Sequence, residues 1–232
     1  MSTHRTGARA GSADQFDTGS APVKGNGAMN QPNATLAALI GSRICHDLIS
    51  PIGAIHNGLE LLEMANAHET PEVGLIGESV SNASARIRFF RVAFGAASDQ
   101  MLARTEVVSI LDDLYRNSRL NVIWEPEAPQ PRAAVRLTFL SILCFENALP
   151  YGGSITVSRQ GDTWKVSGGG DRLVIDPVLW SFLRDQGNTD PGQETQIQPA
   201  QVQFALLPMV AERDRLTLQV SQSQNIATIS FG

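Results

Sequence analysis

The sequence predicts an α plus α/β protein in two parts: an antiparallel helical hairpin, which two chains would pair into a dimeric four-helix bundle, followed by an α/β sandwich domain. Two patterns predict this. Apolar or small residues recur in alternating steps of three and four from Ala38 to Leu62 and again from Val73 to Met101, the rhythm of helices that pack along a seam. Beyond about Glu106 the pattern changes to short alternating runs interleaved with apolar helical stretches, the element order of an α/β domain. The start of the chain carries many Gly, Ser, Ala, Thr and Asn residues and little periodic hydrophobicity, which reads as a disordered tail. The expected division is a tail over 1–32, the hairpin over 33–104 and the α/β domain over 105–232.

The first helix carries its seam on Gly41, Cys45, Leu48, Ile52, Ile55, Leu59 and Leu62. His46 lies off this seam. It shares a stripe with Arg43, Ser50, Gly53 and Asn57, where small and polar side chains leave room for another protein, so the ring is expected to face water and these four residues to contact a partner. A neutral imidazole is a good nucleophile, and an adjoining carboxylate, here Asp47, can hold the other ring N–H and stabilise the cation that forms during attack. Pro51 has no N–H to give the carbonyl of Asp47, so the helix should bend or loosen just past the histidine. The grouping suits a histidine that accepts a phosphoryl group.

A connector near Ala67 to Thr70 follows, with Thr70 as N-cap and Pro71 at the first position of the second helix. Its seam, on Val73, Ile76, Val80, Ala83, Ile87, Phe90, Phe94, Ala97 and Met101, predicts a helix of about 30 residues and roughly 45 Å. Extra apolar residues at Ile40, Ile44, Ile49 and Leu61 widen the hairpin's face beyond what one partner helix could cover, hence the expectation of a homodimer. Mirroring His46 about His68 lands near Phe90 and Arg91. Arg86 and Arg88 fall within about a turn and a half of that level, so three guanidinium groups are expected near the histidine. They could steady a phosphoimidazole or attract the acidic pocket of a phospho-aspartate donor.

In the second part, Val108 to Asn117 is helical and Leu120 to Trp124 alternates as a strand. Pro131 opens a long apolar helix through about Leu149. Ile155–Ser158 and Trp164–Ser167 form a hairpin around Gln160, Gly161 and Asp162. A helix starting near Asp176 and Pro177, another from Pro199 to Arg213, and strands Leu216–Val220 and Ala227–Phe231 complete a mixed sheet with helices on one face.

The stretch Arg43–Leu62, with its His46-Asp47-Leu48 run and the proline five residues after the histidine, resembles the H-box of sensor histidine kinases. The resemblance implies their dimerisation and phosphotransfer hairpin, followed by a domain similar to their Bergerat-like, ATPase-type α/β sandwich. In such a domain an asparagine on the long helix holds magnesium, an aspartate in a D-x-G-x-G turn selects adenine, and a glycine-rich lid wraps the triphosphate. Phe145, Glu146, Asn147 and Ala148 resemble the first of these, with Asn147 as a vestigial metal ligand. At the second the chain reads Val166, Ser167, Gly168, Gly169, Gly170, Asp171, so Gly168 stands in the aspartate's slot and the glycines read as a loose turn. Losing a charged acceptor there costs roughly 1.5 to 3 kcal/mol of binding. Between Asp185 and Gln203 stand Gly187 and Gly192, with no G-x-G run for a lid.

A phosphotransfer hairpin joined to a degenerate ATP-binding-like domain is similar to the ChpT family of histidine phosphotransferases. The resemblance implies a phosphorelay enzyme without autokinase activity. The receiver domain of a hybrid kinase of the CckA type would pass a phosphoryl group to His46, and His46 would pass it to response regulators of the CtrA and CpdR type. No cofactor is expected on this chain, and magnesium is expected on the receiver. Two other readings are an active ATP-dependent histidine kinase and a non-catalytic module that inhibits a kinase.

Composition adds exclusions. A formal net charge of −5 over 232 residues argues against nucleic acid. Neither a signal-peptide core nor a membrane-length apolar run is present, so a cytoplasmic location off the membrane is expected. Cys45 and Cys144 are expected as packed thiols, and His4, His56 and His68 form no zinc set with them by spacing.

Overall fold

The structure, a computed structural model, describes residues 31–65, 71–96, 98–184 and 197–232. The tail over 1–30, the connector with Thr70, Gly187 and Gly192 of the lid region, and the histidines His4 and His68 lie outside them.

Two helices, α1 (Gln31–Ala65) and α2 (Pro71–Ala93), form the expected hairpin. Helix α1 begins within the segment read as tail and runs unbroken through Pro51. The face it turns toward α2 differs from the predicted seam by about one position. Arg43, Pro51 and Gly58 are buried, with Asp47 and Ala54 partly so, whereas Cys45, Ile52 and Leu59 are exposed. Cys45 is therefore a surface thiol, contrary to expectation, while Cys144 is buried as expected. The small residues Gly58, Ser79 and Ala85 are buried in the hairpin, whereas the bulkier Ile52 and Leu59 of the predicted seam are left outside.

Helix α2 ends at Ala93, not near Met101. Its last carbonyls are taken by guanidinium groups from the next domain: Arg132 donates to the Arg91 carbonyl, and Arg136 Nε to that of Ala93 at 3.2 Å. Positive charge at a helix C-terminus satisfies orphan acceptors and opposes the macrodipole there. The chain then enters a short ladder that the sequence did not reveal, β1 (Met101–Leu102) antiparallel to β3 (Gln130–Pro131).

The C-terminal part has the predicted layers. Helices α3 (Arg104–Tyr115) and α4 (Arg132–Ala148) flank the first strand of a five-stranded sheet ordered β2-β4-β5-β7-β6, from β2 (Leu120–Trp124), β4 (Gly153–Gln160), β5 (Thr163–Gly169), β6 (Leu218–Gln222) and β7 (Ile226–Phe231). Only β2 and β4 are parallel, the crossover between them running through α4, and every other neighbouring pair is antiparallel. Gly161 supplies the positive φ of 59° that the two-residue turn between β4 and β5 requires. One sheet face buries Ile155, Val157, Trp164, Val166, Ile229 and Phe231 under the helices. The other is largely hydroxylic, with Ser167 and Thr228 bonded at 2.9 Å.

Helix α5 (Pro177–Arg184) begins where Asp176 Oδ1 accepts the N–H groups of Val178 and Leu179. A 3-10 turn (Pro199–Gln201) leads into α6 (Val202–Arg213). Gly168 and Gly169 are strand residues and not the loose turn expected. A Cβ on Gly168 would overlap the Phe145 ring, so α4 approaches the sheet through the one residue small enough to allow it.

Candidate functional site

The site is built where the hairpin meets α3 and α4. His46 lies on the outer side of α1 with 77% of its side chain exposed, and its Nδ1 is 3.1 Å from Oδ1 of Asp47. Helical geometry puts neighbours about 100° apart, so Asp47 turns inward while the imidazole stays out, and only 10% of the carboxylate side chain is exposed. An ionised carboxylate can only accept, so for a neutral ring this contact selects the tautomer with its hydrogen on Nδ1 and its lone pair on Nε2.

The other oxygen of Asp47 accepts from Arg43 Nε at 2.8 Å and faces Arg86 Nη1 at 3.5 Å. Arg43, one turn earlier, was expected on the partner-facing stripe. It is 6% exposed and points into the protein, where Nη1 donates to the Ala200 carbonyl and Nη2 meets Glu146 Oε2 at 3.4 Å. A buried guanidinium has to find several acceptors, and α1 reaches them only by facing α4 and the 3-10 turn. Glu146 in turn accepts from the Tyr115 hydroxyl at 2.8 Å. Burial raises its carboxyl above the usual range, against the pull of Arg43 and Tyr115, and burial also drives the Tyr115 phenol up.

The remaining stripe is as expected: Ser50, Gly53 and Asn57 are exposed on the same side as His46. The three arginines of α2 separate. Arg86 is level with Asp47, also bonded to Asn82 Oδ1 at 3.1 Å, which bears out the mirror position to within one turn. Arg88 faces the opposite way, onto α3, and pairs with Asp113 at 2.5 Å, since two residues along a helix turn a side chain by about 200°. This pairing holds the Asp113 carboxyl below its usual range. Arg91 is exposed. An open groove of about 1140 Å³ runs beside Asp47 and Ser50, with Arg86, Arg88 and Tyr115 along it and Glu146 in its wall.

Asn147 is not free for a ligand in the way the N-box likeness implied. Its Oδ1 accepts from Nε2 of the buried Gln203 at 2.9 Å. Nearby, Phe145 packs edge-on to Trp180 at 5.6 Å, and Trp180 lies 6.2 Å from Phe204. Among the described residues no group of three or more His, Cys, Asp or Glu side chains is placed to hold a metal ion.

The residues missed by sequence reasoning are Glu146 as a partner of the hairpin, Tyr115, and Ala200 through its carbonyl. A signal for the first existed: one acidic residue inside a long apolar helix has to be paired. Its partner, 103 residues away, had no local signature.

The comparisons with known proteins fit this geometry. Residues 104–226 match the family described as histidine phosphotransferase C-terminal domain. Over 171 residues the chain is 36% identical to the protein phosphotransferase ChpT of Brucella abortus (strain 2308), covering 71% of this chain and 81% of that one. This chain belongs to the ChpT family of histidine phosphotransferases. A solved bacterial phosphotransferase shares its structure with a TM-score of 0.70 at 32% identity, covering 86% of this chain and 96% of the other. The histidine phosphotransferase is thus a mixed helix and sheet protein. No helix among its described residues is long and apolar enough to cross a membrane.

Proposed function

We propose that His46 is the phosphoacceptor of this histidine phosphotransferase. The observation that carries the reading is an exposed imidazole whose Nδ1 is held by a nearly buried carboxylate at 3.1 Å, leaving Nε2 as the nucleophile on the solvent side. Nε2 attacks the phosphorus of a receiver's aspartyl phosphate, the P–O bond to that aspartate breaks, and its electron pair leaves on the receiver carboxylate. Onward transfer reverses these bonds on a second receiver. Positioning and charge stabilisation are what such a step needs, and the receiver's own metal supplies the rest. The donor is a receiver of a hybrid kinase of the CckA type and the acceptors are regulators of the CtrA and CpdR type. Ser50, Gly53, Asn57, Arg86 and Arg91 surround the place where a receiver docks.

The chain works without a nucleotide or metal of its own. Supporting this are the tethered Asn147, the aromatic packing of Phe145, Trp180 and Phe204, and the absence of space for any side chain at Gly168, where a Bergerat-like domain needs its aspartate. The working unit is a homodimer in the cytoplasm, its hairpins paired as a four-helix bundle. Two exposed stripes with heptad spacing support this, Cys45, Ile52 and Leu59 on α1 and Val73, Val80 and Ile87 on α2.

The test is transfer from a purified phosphorylated receiver with no ATP present. Wild type should acquire acid-labile, base-stable label within minutes, and His46→Ala and His46→Gln none. Label on either variant would move the acceptor elsewhere, and label taken directly from ATP by wild type would identify a kinase.

A further inference from the structure

A continuous path of side chains joins the imidazole to the C-terminal domain: His46, Asp47, Arg43, Glu146 and Tyr115, drawn from α1, α4 and α3. Nothing in the transfer step requires it to extend past Asp47. An aspartate on an exposed helix, left alone, samples several rotamers and turns toward water. Here Arg43 Nε occupies Oδ2, which leaves Oδ1 to the imidazole. Arg43 is fixed in its turn, because its three nitrogens bond to three elements: Asp47 on its own helix, the Ala200 carbonyl in the 3-10 turn and Glu146 on α4. The Tyr115 hydroxyl holds the other oxygen of Glu146.

We propose that Glu146 and Arg43 are positioning residues for phosphotransfer: acting through Asp47, they hold His46 with Nδ1 protonated and Nε2 bare, so that the C-terminal domain completes a site it does not itself contain. The inference rests on the reading of His46 as phosphoacceptor. Charge balance adds to geometry. Arg43 and Arg86 offset Asp47 and Glu146 in this cluster, with Tyr115 and the buried Cys144 neutral beside them. As Nε2 attacks, the ring becomes cationic and its Nδ1 proton stays shared with Asp47. Neutralising Glu146 leaves one positive charge in excess where another is forming, and frees Arg43 to draw Asp47 away from the ring.

The experiment uses the full chain with Glu146→Gln, Arg43→Lys and Tyr115→Phe. The first keeps shape and loses charge, the second keeps charge and loses the three-pronged fork, and the third removes one hydroxyl. Readouts are the rate of His46 labelling at saturating phosphorylated receiver, the receiver concentration giving half that rate, labelling by phosphoramidate as a small donor, and the ring tautomer by ¹⁵N NMR. Glu146→Gln and Arg43→Lys should each slow saturating transfer about tenfold and Tyr115→Phe about fivefold, in line with losing a charged or a neutral hydrogen bond. Half-saturation should stay within about twofold, phosphoramidate labelling should fall in parallel, and the share of the ring with its hydrogen on Nδ1 should fall. A changed half-saturation with unchanged maximal rate and tautomer would make these residues part of docking and overturn the proposal. So would wild-type values throughout for Glu146→Gln and Tyr115→Phe, which disturb folding least. Failure of the underlying reading looks different: wild type itself would carry no label on His46.

Discussion

Asp47 serves three neighbours at once, and this crowding explains both what sequence could see and what it could not. The pairing of His46 with Asp47 is local and could be read from adjacency, as could the exposure of Ser50, Gly53 and Asn57. The burial of Arg43 could not, because it depends on acceptors at positions 146 and 200. Charges at this scale have opposite pH signatures. Glu146 binds its proton more tightly in the folded chain, so its contribution to stability is fully present below the ordinary carboxylate value and declines as pH rises through its raised folded value. Urea titrations from pH 4 to 8 should show a downward slope in wild type that Glu146→Gln flattens. Asp113 is the reverse. Held low by Arg88, it stabilises above its ordinary value of 3.8 and that contribution is lost as pH falls through its folded value. Asp113→Asn should therefore cost up to about 1 kcal/mol at neutral pH, and the difference from wild type should shrink as the pH is taken down below 3.8.

Elements were legible where their signals are short-range. The cap at Asp176, the proline openings at Pro71 and Pro131, the Gly161 turn and the run Leu120–Trp124 all stand within a residue or two of their expected places. Helix α2 was overextended because Phe94, Ala97 and Met101 continue the rhythm, while its end is set by arginines that arrive from α4. Arg132→Ala should lower stability by about 1 kcal/mol and speed amide exchange in the last turn of α2, measurable by hydrogen exchange. The seam of α1 was misplaced by one position for a related reason: periodicity finds the more apolar face, and in this hairpin that face looks away from α2. Gly168 shows how a lost motif can become a packing device. Gly168→Ala should destabilise by about 2 kcal/mol in a denaturant melt, since the methyl group would have to displace the Phe145 ring from a closely packed core.

For the whole molecule, the mixture of helix and sheet followed from pattern alone, whereas the join between the hairpin and the sheet did not. If the exposed heptad stripes pair two chains, Ile52→Glu with Leu59→Glu should yield monomers in sedimentation velocity while leaving the C-terminal domain's near-UV spectrum unchanged. Sedimentation as a dimer would place the interface elsewhere.

Arg43 also fastens the hairpin to the sheet domain like a rivet through three plates. A kinase has to swing its nucleotide-bearing lobe onto its own histidine, and any such swing here would strip a buried cation of its acceptors, at about 3 to 5 kcal/mol. On the proposed reading of His46, the molecule is a fixed anvil, and the moving parts of the relay are the visiting receivers.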